Sequence, residues 1–415
     1  MNIVLINHYA GSPEMGMEFR PYYFAREWVK KGHRVDIFAA SYSHLRRVNP
    51  KVRHDFQEEI IDGIHYHWIK TIQYEGNGAK RAITMAQFVG KLWINAKKIT
   101  KKFKPDVVIT SSTYPLDTFV GQKIKKISGG GVKLIHEVHD MWPSTLYEIG
   151  GMSRKHPFVV TMQIGENSAY KHSDKVVSLL PYAEKYMRRH GLKKGKFACI
   201  PNGIVEEEWG SPQKLSDQHA DVLQKLKDDG DFIVGYFGGH ALSNALDVMI
   251  DAAKACTDRE IKFVLVGNGV EKARLMERVR TEKIENVFFL PPISRLEIPE
   301  LCDYFDCIFY SGICSPLYRF GVCLNKMFDS MRAGKPNICA MDLEHSYIDD
   351  YRFGVCIKPD NINEIANNIA KMKNMSEFER EEMGKRGIDA AQRYFNYRTL
   401  SERFLRIIEG IGNSC

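Results

Sequence analysis

Short apolar runs punctuate the chain, and each gives way to a polar turn and then to a stretch of helical periodicity. "MNIVLINH" runs into a loop, "EFRPYYFAREWVKKGH" follows with helical spacing, and "RVDIFAAS" begins the next apolar run. The device repeats at "KPDVVITSST", "VKLIHEVHD", "KVVSLL" and "KFACIPNGI". Strands that alternate with helices predict a parallel sheet covered on both faces. From Val205 to Gly230 the sequence turns charged and poor in β-formers, and reads as a connecting segment with a helix inside it. The alternation then restarts with "FIVGYFGG", "IKFVLVGNG", "NVFFLPP", "CIFYSG" and "KPNICAM". The pattern predicts an α/β chain of two doubly wound, Rossmann-like domains, 1–204 and 205–385, followed by a helical tail over 386–415.

At 415 residues the chain is long enough for two domains that each bury a core. No apolar run of transmembrane length occurs, and "MNIVLINHYAGS" lacks the basic region, apolar stretch and cleavage site of an export signal, so a cytoplasmic location is expected. The nine cysteines (199, 256, 302, 307, 314, 323, 339, 356 and 415) include no Cys-x-x-Cys pair and sit mostly in apolar surroundings, which favours reduced thiols over disulfides or a zinc site. Charge is divided unevenly. Residues 1–204 hold 32 Lys and Arg against 17 Asp and Glu, a net +15, whereas residues 205–415 hold 27 against 34, a net −7. The first domain is therefore expected to meet an anionic partner.

Ligands of doubly wound sheets bind beyond the carboxyl ends of the strands, which singles out the glycine-rich exits "YFGGH" and "VGNG". In "GYFGGHALSNALDVMIDAAK" the glycines would let a phosphate approach the backbone and the next helix would offer it free N–H groups; a tight turn needing positive φ accounts for the same glycines without a ligand. "SPLYRFGVCLNKMFDSMRAGKP" joins an aromatic, basic loop to a helix closed by Gly334 and Pro336. Asn325 and Lys326 fall in the first turn of that helix, where the macrodipole disfavours a lysine. A diphosphate held near Val322 and the helix start would resolve the conflict, with Lys326 as its counter-ion and Asp329 accepting the hydroxyls of a ribose. Taken alone, Lys326 and Asp329 would read as an exposed helix pair.

Asn325-Lys326-Met-Phe-Asp329, followed by Met331 and Ala333-Gly334-Lys335-Pro336, resembles the nucleotide-sugar site of family 4 retaining glycosyltransferases with the GT-B fold. The likeness is to the bacterial branch that builds lipid-linked surface polysaccharides such as O-antigen and capsule, often with amino sugars. It extends to "GGHALSNALD" at Gly238–Asp247 and to "HEVHDMWPSTLYEIGGMSRKHPF" at His136–Phe158. The resemblance implies two Rossmann-like domains facing across a cleft, the donor in the second, the acceptor on the first and the C-terminal helix crossing back to the first. It implies that Gly238, Gly239 and His240 lie against the donor diphosphate with Asn244 nearby, that Asn325 and Lys326 also contact it, and that Asp329 takes the ribose. His139 and Asp140 would approach the transferred sugar or its acceptor. "HYAGSPEMGMEFR" stands where the family has a glycine-rich loop, with Gly16 matching on the donor side and Arg20 on the acceptor side. The implied reaction moves a sugar, N-acetylated amino sugars among the candidates, from a UDP-linked donor to a saccharide acceptor carried on polyprenyl diphosphate, with retention, no cofactor and no metal.

The chain also departs from the family. Many members carry two glutamates eight residues apart; here Asp329 stands for the second, and Ser311–Arg319 contains no acidic residue. The Arg and Lys usual after the glycine turn are missing from "HALSN", so fewer cations would meet the donor. A histidine at a strand end is often a hydrogen-bonded structural residue, which leaves His139 with two readings, and Trp142-Pro143 reads as packing. Arg81–Lys104 places Ile83, Phe88, Val89, Leu92, Trp93, Ala96 and Ile99 near one helical stripe, with Lys91, Lys97, Lys98, Lys101 and Lys102 mostly off it. This is an ordinary surface helix or, if the lysines face anionic lipid, a docking element on the inner face of the cytoplasmic membrane. No nucleic-acid-binding module is visible. Two rivals stay open: a non-hydrolysing nucleotide-sugar 2-epimerase, which needs no acceptor, and a non-catalytic nucleotide-sugar-binding protein.

Overall fold

Eight strands build the first sheet: β1 (Asn2–Ile6), β2 (Arg34–Ala40), β3 (Gln57–Ile61), β4 (Ile64–Ile69), β5 (Val107–Thr110), β6 (Lys133–Val138), β7 (Lys175–Ser178) and β8 (Phe197–Cys199). Their spatial order is β3-β4-β2-β1-β5-β6-β7-β8. Every pairing is parallel except β3 with β4. That exception departs from the all-parallel pattern read from the sequence, and Asp62-Gly63 causes it: φ values of +49° and +77° make the left-handed pair that a two-residue hairpin needs. Strand order reverses between β1 and β5, so the loops leaving these two strands flank the switch point.

The described residues of this computed structural model are 1–16, 19–76 and 78–410. Two compact units are present, Met1–Pro201 with the stretch from Tyr397 onward, and Asn202–Asn396. In the first unit helix α1 (Phe19–Lys30) packs against the C-terminal helix Tyr397–Glu409. The Phe404 ring lies tilted 5.4 Å from that of Phe24 and edge-on 5.3 Å from that of Trp28, and Trp28 Nε1 donates to the Ser401 carbonyl at 3.3 Å. The end of the expected tail, 411–415 with Cys415, lies outside the described residues, as do Met17 and Glu18 of the N-terminal loop.

Helices α2 (Ala79–Phe103), α3 (Thr118–Ile127) and Pro157–His172 pack side by side. The buried residues of α2 include Met85, Phe88, Leu92, Ala96, Ile99 and Phe103, in steps of three and four, and from Phe88 onward they meet Val4, Ile6, Phe38, Val108 and Leu134 of the sheet. Ile83 and Trp93, expected on that stripe, fall outside its spacing and are exposed, as is Ile94.

The second unit carries β9 (Phe232–Phe237), β10 (Ile261–Val266), β11 (Val287–Leu290), β12 (Cys307–Ser311), β13 (Asn337–Ala340) and β14 (Gly354–Ile357), in the order β11-β10-β9-β12-β13-β14 and all parallel. Its switch point lies between β9 and β12. Helix Asn325–Arg332 connects β12 to β13 and buries Met327, Phe328 and Met331. Behind it lies helix Glu377–Tyr394, whose Gly384 and Gly387 face the carbonyls of Gly334 and Met331 so closely that a Cβ at Gly384 would overlap the backbone. This packing keeps the long helix in the second unit, so the return to the first begins at Tyr397 and not at residue 386. The other division falls after Pro201 instead of 204, because Ile204 bridges to Asn396 and its N–H donates to the Phe395 carbonyl at 2.7 Å. Among the described residues no helix is long and apolar enough to cross a membrane. Cys199, Cys302, Cys307 and Cys339 are buried, whereas Cys314 is exposed.

Candidate functional site

β9 delivers Gly238 to the switch point of the second unit with φ +137°, a conformation open to glycine. A Cβ there would stand 3.3 Å from the Tyr236 hydroxyl and 3.6 Å from Lys326 Nζ. Lys326 reaches this turn from the first turn of its helix, and its ammonium donates to Asn244 Oδ1 at 2.6 Å and to the Tyr236 hydroxyl oxygen at 3.0 Å, 4.7 Å above the Tyr236 ring centroid. Tyr236 and Asn244 each donate in turn to the Gly239 carbonyl at 2.7 Å. The result is a closed ring of polar contacts around the Gly238–Gly239 turn. Burial pushes the Lys326 ammonium down to about 8. His240 is buried beneath the turn, with neither ring nitrogen partnered among the described residues; burial first, then Lys272 and Lys326, push it down to about 4, so it stays neutral. Lys272 donates to the carbonyls of Gly267 and Leu290 at 2.7 and 2.8 Å and so ties down the neighbouring strand exits.

One turn beyond Lys326, Asp329 is buried and receives a two-point contact from the Arg295 guanidinium at 3.1 and 3.2 Å, while Arg295 Nε donates to Glu208 at 2.6 Å. Burial raises the Asp329 carboxyl against the opposing pull of Arg295. Asn325 is exposed at the helix start, whose N-cap, Leu324, offers no side-chain acceptor.

In the first unit, β6 ends in a buried polar knot. Arg20 sends Nε and an Nη to Glu137 Oε1 at 3.0 and 2.9 Å, and its Nη groups reach the carbonyls of Ile200 and Pro201 at 2.7 Å. The second Glu137 oxygen accepts from Ser111 at 2.6 Å and lies 3.0 Å from His139 Nε2, itself 2.9 Å from Ser111 Oγ. Burial opposes ionisation of Glu137, yet Arg20, His139 and Ser111 together hold its carboxyl well below the usual range. Asp140 Oδ1 accepts from Met141 N–H and the Thr145 hydroxyl, both at 2.8 Å. Gly16 closes a turn at φ +87°, against the side chain of Arg47.

Residues 15–208 match the family described as Glycosyltransferase Family 4, and residues 217–390 match Glycosyl transferases group 1. The chain belongs to the family 4 glycosyltransferases of the GT-B type. A stretch of 147 residues is 27% identical to a colanic acid biosynthesis glycosyl transferase, WcaI, of Escherichia coli K12, covering 34% of this chain and about a third (35%) of that relative. Among solved structures, sucrose-phosphate synthase from Thermosynechococcus elongatus superposes with a TM-score of 0.72 at 18% identity over 98% of both chains. HepE of Anabaena, solved in complex with UDP-glucose, gives 0.66 at 14% identity over 99% of this chain and 100% of its own. These similarities are those of a shared fold.

In this family 4 glycosyltransferase Gly238, Gly239, Asn244 and Lys326 come together as the motifs suggested, with His240 directly beneath. Asp329 shares the helix of Lys326 but points to Arg295, so a ribose would have to share that carboxylate. Arg20, expected to face an acceptor, is instead buried: its guanidinium is committed to Glu137 and two carbonyls. Gly16 serves a turn of the first unit. Lys97, Lys98, Lys101 and Lys102 are exposed along the carboxyl half of α2. Sequence reasoning missed Tyr236, Arg295, Ser111 and Glu137. A carboxylate inside the apolar run "KLIHEV" was the available signal for Glu137, since a buried charge demands a partner; nothing local marks Arg295, whose partners lie 34 and 87 residues away.

Proposed function

We propose that this protein transfers a sugar from a nucleotide diphosphate donor, UDP-linked, to a saccharide acceptor on a lipid carrier, with retention of configuration and without a metal. The carrying observation is the Lys326 ammonium held over the Gly238–Gly239 turn by Tyr236 and Asn244. A desolvated cation beside a glycine turn that leaves backbone accessible is suited to a diphosphate, and it acts most strongly when negative charge grows on the departing nucleotide. His139, anchored by Glu137 and Ser111, and Asp140 supply polar groups at a strand exit of the other domain for the transferred sugar or its acceptor. The polysaccharide setting is supported by the partial likeness to WcaI and by the fold shared with WaaG, a glycosyltransferase involved in lipopolysaccharide biosynthesis, at a TM-score of 0.65 and 12% identity; the cytoplasmic side of a membrane is where such a reaction is proposed to run.

A thermal-shift screen against nucleotide sugars tests the donor, since a ligand at about a hundred times its Kd stabilises by about 2.7 kcal/mol. Donor incubated alone, then with lipid-linked saccharides, tests the reaction. Conversion of the donor to its 2-epimer without acceptor would replace transfer by epimerisation, and binding without turnover under any acceptor would leave a binding protein. Transfer should survive excess chelator; loss that magnesium or manganese restores would refute the metal-free reading.

A further inference from the structure

The second sheet ends on β13 and its edge strand β14, and each contributes one cysteine at the same level. Cys339 and Cys356 are direct partners in the parallel register, so their Cα atoms stand about 4.8 Å apart, the ordinary spacing of neighbouring strands. Disulfides span about 4.4–6.8 Å between Cα atoms. The packing shows that both side chains leave the sheet on one side. Ile338, Ala340 and Ile357 belong to the core on the opposite face, whereas Cys339 and Cys356 pack with Tyr310, Phe328, Met341 and Phe353. Neither cysteine is in a disulfide.

Their surroundings differ in a way that suits successive roles. Cys339 is 1% exposed; Cys356 is half-buried and lines an open cleft at the end of β14 with Ile357, Lys358, Asp360, Asn361 and Glu364. A hydrogen bond from Cys339 holds the Cys356 thiol below its ordinary value, against burial and Asp349 and with help from Ser346. The same bond, joined by burial, pushes the Cys339 thiol well above. The proton of the pair therefore stays on Cys339, and the thiolate forms on Cys356, the member that the cleft admits to solvent. Elsewhere in this unit burial raises the thiols of Cys256, Cys302 and Cys307, which keeps them protonated and poor nucleophiles. A metal does not account for the pair: among the described residues no three His, Cys, Asp or Glu side chains come together to hold one.

We propose that Cys339 and Cys356 form a redox-sensitive site, oxidised by peroxides to a disulfide and restored by small thiols. The Cys356 thiolate attacks one oxygen of hydrogen peroxide; an S–O bond forms as the O–O bond breaks, and the departing hydroxide takes up the proton that Cys356 had released, as water. Cys339 then attacks the sulfur of the resulting sulfenic acid; the S–S bond forms, the S–O bond breaks, and the second hydroxide leaves with the Cys339 proton as water. Two thiols give up two electrons and the peroxide takes both. Two molecules of a thiol such as glutathione reverse the step and become a disulfide themselves. β14 has no strand on its outer side, so it can move inward to bring the Cβ atoms to the disulfide separation of about 3.8 Å. The site stands apart from the proposed transfer reaction and does not rest on it.

The test is peptide mapping of the full chain, reduced, desalted and exposed to a slight excess of hydrogen peroxide. Remaining thiols are alkylated in denaturant, and the protein is digested with trypsin without reduction. Trypsin leaves Cys339 in the peptide 333–352 and Cys356 in 353–371, because Lys335 and Lys358 each precede a proline. These two peptides should appear joined, with the loss of two hydrogens, ahead of oxidation at any other cysteine. Glutathione added to the folded protein before alkylation should remove the link. Cys339→Ser should halt the reaction at the Cys356 sulfenic acid, which dimedone captures, and Cys356→Ser should leave Cys339 unoxidised. The map of the parent decides without any variant, so a variant that fails to fold leaves the test intact. The proposal is overturned if both peptides stay alkylated while the exposed Cys314 oxidises, if the link joins two chains instead of one, or if glutathione fails to open it.

Discussion

Lys326 should make nucleotide affinity depend on pH in a way that a surface lysine could not. Burial lowers its ammonium from the ordinary 10.5 to about 8 in the free protein. A bound diphosphate would restore the charged form, so the group should return to at least its ordinary value in the complex. At pH 7 Lys326 is protonated in both states and affinity does not change with pH. At pH 9 only about a tenth of free molecules carry the charge, so binding must draw a proton from solution and Kd should rise about tenfold over this interval. Isothermal titration of UDP between pH 7 and pH 9, repeated in buffers of different ionisation enthalpy, measures both quantities: the rise in Kd and an uptake approaching one proton per UDP at pH 9. Lys326→Met should bind UDP more weakly at pH 7 and show a flat profile, because ionisation of the ligand itself is common to both proteins. Tyr236→Phe removes an oxygen that accepts from the ammonium, so it should move the onset of the rise to lower pH. A Kd independent of pH across this range in the parent, or a Lys326→Met profile that rises like the parent's, would refute the assignment of this ammonium to the nucleotide.

The same buried charge burdens the folded state below about pH 8, a cost that fades as pH rises toward 10.5; Lys326→Met should therefore gain up to about 3 kcal/mol in denaturant unfolding at pH 7 and little at pH 10. Glu137→Gln leaves the Arg20 guanidinium buried without its counter-charge and should cost about 3–5 kcal/mol at pH 7 by denaturant melts. Because the Glu137 carboxyl is lowered in the folded state, the stability it adds is present above its ordinary value and lost as pH falls below it, so parent and variant should converge in acid. Asp329→Asn should weaken UDP more than inorganic pyrophosphate in competition binding if the carboxylate meets the ribose; equal losses would confine Asp329 to holding Arg295.

The alternation of apolar runs and helical stretches was enough to read both sheets, because a strand buried on both faces leaves a continuous apolar signature. The hairpin β3–β4 escaped that reading although Asp62-Gly63 announces it: β3 is an exposed edge strand, "QEEII", with little apolar signal of its own. Lys326 was legible as a conflict with the helix dipole that called for an anion near Val322 and the helix start; the family resemblance, not the conflict, joined it to the glycine turn where the structure places it. Arg20 misled because an arginine in a polar loop looks solvent-facing, and its burial depends on Glu137, 117 residues away. Ile83 and Trp93 were counted with the α2 stripe because a broad apolar arc hides where the buried rows end; only the packed sheet decides which residues it covers.

The return of helix Tyr397–Glu409 to the first unit sets an order of events during synthesis. Phe24 and Trp28 of α1 leave the ribosome early, yet Phe404, which covers them, is made only after the whole of Asn202–Asn396. At about 5–20 residues per second the 376 residues from Trp28 to Phe404 take roughly 20–75 s, during which the aromatic face of α1 stays open. The second unit has all its residues in hand before the first does, so the domain that begins the chain is the last to close. A ribosome that stops near Asn396 would release a finished second unit tethered to an incomplete first unit with exposed tryptophan, and such a product is a natural substrate for chaperones or proteolysis.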